Sequence, residues 1–145
     1  MKLSAHFSLE EMIFSQTAAR DNINNTPPPE ALLNLTRLCA FLEEVREVVG
    51  NPLTITSGYR CLELNRLKGS KDYSQHVKGC AADFRCPWRT PHEIMEAIIG
   101  AGLPYDQLIY EFSSWVHISI PNHASDAPRK ETLTIDHRGV RQYDT

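Results

Sequence analysis

The sequence predicts an α+β fold in which helices pack on one face of a small antiparallel sheet. Three observations carry that expectation. Apolar residues recur at helical spacing from Glu30 to Val49, with Leu35, Leu38, Leu42, Val45 and Val49 on one stripe. A second helix is announced by Thr90-Pro91-His92-Glu93, where Thr90 caps, proline takes the first helical position and Glu93 reaches back to complete the box. The C-terminal half instead carries short β-rich runs separated by turn residues.

In chain order, Ser8-Leu9-Glu10-Glu11 is a capping box, so a short helix is expected to run to about Arg20 before Asn22 to Pro29 breaks it. The long helix from Glu30 stops at Gly50. Leu53 to Thr56 is a short strand, and Ser57-Gly58 ends it ahead of a helix over Leu62 to Leu67. Ala81 to Phe84 reads as a strand, and the Thr90 helix stops near Gly100 and Gly102. Gln107 to Phe112 and Trp115 to Ile120 form a hairpin, while Arg129 to Ile135 and Val140 to Tyr143 add an edge hairpin turning at Asp136-His137-Arg138-Gly139.

Length and composition set the bounds. At 145 residues the chain is long enough for one domain, 1–145, with its own core. A net charge of -3 without a basic run argues against a nucleic-acid partner. No stretch approaches a membrane span, so membrane insertion is not expected, and the start lacks the apolar segment of a secretion signal. The four cysteines, Cys39, Cys61, Cys80 and Cys86, form no CxxC pair and read as free, buried small hydrophobes. A thiolate zinc site from Cys80 and Cys86 is disfavoured by strand alternation, which turns them away from Asp83.

The chemistry concentrates between Ser74 and His117. His76 and Asp83 flank Gly79, a residue free to take positive φ and reverse the chain, and His117 lies in a strand whose Val116, Ile118 and Ile120 point the other way. Two imidazoles and one carboxylate are a usual set for a zinc ion that keeps a fourth position open. Taken alone, His117 reads equally well as solvent-facing.

Ser74-x-His76-x-x-Gly79-x-Ala81-x-Asp83 resembles the Ser-x-His-x-x-Gly-x-x-x-Asp signature of the zinc D-Ala-D-Ala carboxypeptidases and the L-Ala-D-Glu endolysin peptidases. Ser57-Gly58-Tyr59-Arg60 and Trp115-Val116-His117-Ile118-Ser119 resemble further blocks of that family, in the expected order. His6 to Glu11 and the helix after Pro27 are similar to its small phage and prophage branch. The resemblance implies the fold shared by these peptidases and Hedgehog signalling domains. It also implies Zn2+ held by His76, Asp83 and His117, and a peptide of bacterial peptidoglycan as substrate. It leaves D-Ala-D-Ala carboxypeptidase and L-Ala-D-Glu endopeptidase both open.

A hydrolytic zinc site needs a general base. Members of this family commonly carry Glu, Asp or His two or three residues before the last histidine, where this chain has Ser114 and Trp115. Glu111 is the nearest carboxylate. A two-residue loop at Ser113-Ser114 would leave it on the wrong face; a three-residue loop, Phe112-Ser113-Ser114, pairs it with Trp115 and puts it beside His117. The three-residue loop is expected, with Asp106 as the alternative base. Arg60 is expected to bind a substrate carboxylate or stabilise the oxyanion, and Ser74 and Gln75 to bind substrate or orient His76.

His6, His92, His123 and His137 are read as surface residues. The setting implied is a monomeric lysis enzyme of a phage or prophage, made in the cytoplasm and reaching the cell wall through a holin. The opposing readings are a non-catalytic zinc-containing wall-binding module and a phage structural module on the same fold.

Overall fold

The computed structural model describes residues 1–144. In chain order the elements are α1 Leu9–Ile13, α2 Gln16–Arg20, α3 Pro29–Val49, β1 Thr54–Ser57, α4 Leu62–Leu67, α5 Gln75–Lys78, β2 Ala81–Arg85, α6 Pro91–Gly100, β3 Gln107–Glu111, β4 Trp115–Ser119, β5 Glu131–Asp136 and β6 Gly139–Gln142. The six strands form one sheet in the order β1-β2-β4-β3-β5-β6. The α+β expectation holds, with one difference: β3 and β5 pair in parallel, while every other neighbouring pair is antiparallel.

The parallel pair has a local cause. After β4 the chain travels back along the sheet before β5 begins, and the start of β5 is tied to the segment before β3. Lys130 donates its N–H to the Tyr105 carbonyl and Glu131 to that of Asp106. Arg129 donates its backbone N–H to the Asp106 carboxylate at 3.0 Å. The edge hairpin closes as expected, with Asp136 opposite Gly139.

The helices follow their signals with two departures. Instead of one helix to Arg20, two short ones form, because Phe14 is extended and Ser15 caps α2 by accepting the Ala18 N–H. A hydroxyl that captures a free backbone donor competes with continued helix at that position. The second departure is α5, a single turn that begins under a Ser74 cap and ends at Gly79 in the left-handed region.

The core lies between α3, α6 and one face of the sheet. Leu35, Leu38, Leu42 and Val45 meet Ile94, Met95 and Ile98 from α6. The sheet contributes Ala82 and Phe84 from β2, Leu108 from β3, and Val116 and Ile118 from β4. Side chains alternate along a strand, so Asp83, Ile109, Glu111 and His117 belong to the opposite face. That face carries the site. Cys80 and Cys86 are in the core, as alternation required, and Cys39 is buried in α3. Cys61 departs from the expectation of burial: it precedes α4 at the N-cap position, without a side-chain capping bond, and is only half-buried.

Candidate metal centre

His76 is fixed from two sides. The turn that carries it is capped by Ser74, whose Oγ accepts the His76 N–H at 3.2 Å, and terminated by Gly79 at φ 77°. The imidazole is buried, and its Nδ1 lies 2.7 Å from the Gly58 carbonyl. A carbonyl only accepts, so Nδ1 carries the proton and Nε2 presents its lone pair to the site. In return Arg60 donates its backbone N–H to the His76 carbonyl at 3.1 Å.

Asp83 and His117 need no such brace, because β2 and β4 pair them directly across the sheet. Asp83 Oδ1 lies 3.0 Å from His117 Nδ1 and 3.3 Å from His76 Nε2. All three ligand atoms fall within 4.8 Å of one another. For a tetrahedral ion with bonds of about 2.0–2.1 Å, the ligand atoms should stand about 3.3 Å apart. The donor set therefore fits a divalent transition metal, with His76, Asp83 and His117 as the residues that would hold it. The orienting carbonyl on His76 is the usual support for such a ligand. No cysteine takes part, and the other four histidines, His6, His92, His123 and His137, are exposed.

Arg60 stands behind the carboxylate. Its Nη2 is 3.5 Å from Asp83 Oδ2, while Nε donates to Ser57 Oγ at 3.1 Å and Nη1 to Asn65 Oδ1 at 3.2 Å. Burial lowers its pKa, with the charges of Asp83 and Glu111 acting the other way. Burial also pulls His76 down, opposed by Asp83. For Asp83, burial opposes ionisation, but the two imidazoles outweigh it and hold the carboxyl well below the usual range.

The β3–β4 hairpin takes the three-residue loop. Phe112 and Ser113 both adopt positive φ, 52° and 53°, and Glu111 pairs with Trp115. Glu111 consequently shares the His117 face, with Oε1 3.9 Å from His117 Nδ1. Its pKa is raised by burial and by the neighbouring Asp83 charge, with the charges of His117 and Arg60 drawing it back. The indole Nε1 of Trp115 is buried with no hydrogen-bond partner.

Asp106, the alternative base, is placed elsewhere. It is buried in a salt bridge to Arg129 at 2.8 Å and also accepts from the Gln75 side chain at 3.1 Å, so its oxygens serve structure and not the metal set. The Gln75 amide nitrogen is committed to Asp106, the Ile120 carbonyl and Asn122 Oδ1. Those bonds tie α5, and hence His76, to the ends of β3 and β4. Ser74 and Gln75 do line a cleft of about 410 Å³ that also contains His117. A larger cavity of about 480 Å³, on the Asp106 side of Gln75, contains none of the three metal-set residues.

Sequence reasoning missed the roles of Gly58, Asn25 and Asn65. Asn25 is buried, accepts the Cys61 N–H at 2.7 Å and donates to the Ile13 and Tyr59 carbonyls, which locks the segment bearing Arg60. No spacing rule marks such a residue. Gly58 was at least inside the Ser57-Gly58-Tyr59-Arg60 block.

Two imidazoles and a carboxylate converging beside an open cleft, with a further carboxylate on the same face, form the arrangement of a mononuclear metallohydrolase centre. The sequence model of the Peptidase M15 family matches residues 5–119, and the chain belongs to that family. The protein is thus a peptidase by family, and the match spans all three blocks read from the sequence. No curated protein matches the chain.

Proposed function

We propose that the protein is a zinc-dependent peptidase that cleaves the peptide of bacterial cell wall, as a D-Ala-D-Ala carboxypeptidase or an L-Ala-D-Glu endopeptidase, in phage or prophage lysis. The observation that carries this reading is the placement of Glu111 on the face of the metal set, 3.9 Å from His117. A wall-binding module without turnover has no use for a half-buried carboxylate there.

His76, Asp83 and His117 would hold the zinc ion, which would supply a Lewis acid for the scissile carbonyl and lower the pKa of a water towards about 7. Glu111 takes the proton of the attacking water and hands it to the leaving amine. Arg60 makes three contacts with its five N–H donors and has donors left for a developing oxyanion or a substrate carboxylate. Ser74 and Gln75 form part of the cleft wall, and Gln75 also holds α5 in place.

Among the described residues no helix is long and apolar enough to cross a membrane. The proposed route to the wall is release through a holin, with the enzyme acting as a monomer and without nucleic acid. Mass spectrometry of purified peptidoglycan treated with zinc-loaded protein tests the reading. Free alanine identifies the carboxypeptidase, and separation of L-Ala from D-Glu identifies the endopeptidase. A zinc-loaded protein that releases neither from any wall preparation would sink the enzyme reading.

A further inference from the structure

A transverse row of matched residues runs through the metal set and out of it. Asp83 is opposite His117, His117 opposite Ile109, and Ile109 opposite Leu133. In the adjacent row Glu111 lies between Trp115 and Ile135, and Ile135 is opposite Val140. Residues matched across strands share a face, so the polar site gives way within one strand to an aliphatic strip of Ile109, Leu133, Ile135 and Val140.

The strip and His117 line the same cleft of about 410 Å³, a volume typical of sites that hold small ligands. No carboxylate lines that cleft, whereas Lys71 and Arg129 do. Arg129 is already paired with Asp106, which leaves the exposed Lys71 as the cation at the rim. Leu133, Ile135 and Val140 all come from β5 and β6, beyond residue 119, where the family match ends.

We infer that the C-terminal hairpin is a specificity element: it seats the substrate segment next to the scissile bond, takes an aliphatic side chain on the Ile109–Leu133–Ile135–Val140 strip, and brings a carboxylate of that segment to Lys71. The occupant is the substrate itself because the strip is continuous with the reacting site through His117. This inference rests on the peptidase reading above. It assigns to residues outside the family-shared part a choice among substrates that the metal set cannot make, since ligands and base act on any peptide bond delivered to them.

Val140 is the clean place to test it, being 64% exposed and therefore dispensable for folding. The probe is a set of soluble muropeptides released from wall by a glycosidase. Val140→Asp removes an apolar contact and opposes the substrate carboxylate, so KM should rise about tenfold while kcat changes less than about twofold, the pattern of lost ground-state binding. Lys71→Ala should raise KM by about threefold, and more at low salt. Arg141→Ala, on the other face of β6 and paired with Asp136, should leave both constants unchanged. Calorimetry of muropeptide binding to zinc-loaded Glu111→Gln protein, with and without Val140→Asp, should show the same weakening without turnover. Wild-type cleavage with an unchanged KM in Val140→Asp would overturn the strip and leave the peptidase reading standing. A wild-type protein that neither cuts nor binds the fragments would overturn both.

Discussion

Glu111 and His117 lie on neighbouring strands with Glu111 Oε1 3.9 Å from His117 Nδ1, a contact made possible by the three-residue loop between them. A loop one residue shorter would turn the carboxylate to the core face. If Glu111 is the base, Glu111→Gln should keep the fold and full zinc content, because the amide is nearly isosteric and is not a ligand. Turnover of peptidoglycan should fall by about a hundred- to ten-thousand-fold. Wild-type turnover in this variant would remove Glu111 from the mechanism.

The metal set makes a second prediction. His76→Ala, Asp83→Ala and His117→Ala should each lose stoichiometric zinc by elemental analysis, since three protein ligands leave none to spare. His92→Ala should retain it, because that imidazole is exposed and hydrogen-bonded to the Tyr143 hydroxyl. Full occupancy in the His117 variant would take that residue out of the site.

Cys80 and Cys86 are a third case. Both are buried in the core on the face opposite Asp83. The double serine variant should keep zinc and lose stability, by about 1–3 kcal/mol for each hydroxyl left unpaired. Loss of zinc with the fold intact would revive a thiolate site.

Most of the site was legible because its residues act through local patterns. Gly79 marks the reversal after His76, alternation places Asp83 and His117 on one face, and loop length decides Glu111. What was not legible depends on contacts distant in sequence. The break at Ser15 is a side-chain choice between two helical solutions, and the capping box at Ser8 signals only the first. The parallel β3–β5 pairing depends on Asp106 capturing Arg129, and no pattern in either segment announces it. That same capture occupies the carboxylate of Asp106, which the sequence offered as the alternative base.

The N-terminal loop gives a pH prediction. Glu43 on α3 accepts from Ser4 Oγ, the His6 N–H and the His6 ring. Burial works against its charge, but these bonds hold its pKa down from 4.5 to about 2. A depressed carboxyl contributes stability above its unfolded pKa and loses it as pH falls through the folded one. Urea denaturation should therefore show Glu43→Gln to be less stable at neutral pH, by about 1 kcal/mol once solvent screening of this partly exposed group is allowed for. The gap to wild type should narrow below pH 4.5 and close near pH 2. A gap independent of pH would mean that packing, and not charge, explains the loss.

Gly58 couples the fold to the metal. A Cβ on this residue would sit 2.2 Å from the Met12 carbonyl oxygen, a backbone atom at the end of α1 that cannot swing aside. That carbonyl also accepts the Tyr59 N–H at 2.8 Å, so Gly58→Ala must push the Ser57–Arg60 segment away from α1. The Gly58 carbonyl moves with it, and the imidazole of His76 loses the partner that fixes its tautomer. Stability should fall by about 1–3 kcal/mol, as overpacking usually causes. Zinc affinity, measured by competition with a chelator, should fall by about 10–100-fold, the range for loss of a group that orients a ligand. Gly100→Ala meets nothing within 4 Å and lies at the end of α6, so it should keep zinc affinity at the wild-type level. A Gly58→Ala protein that is less stable yet binds zinc as tightly as wild type would show that His76 is held by its helical turn alone.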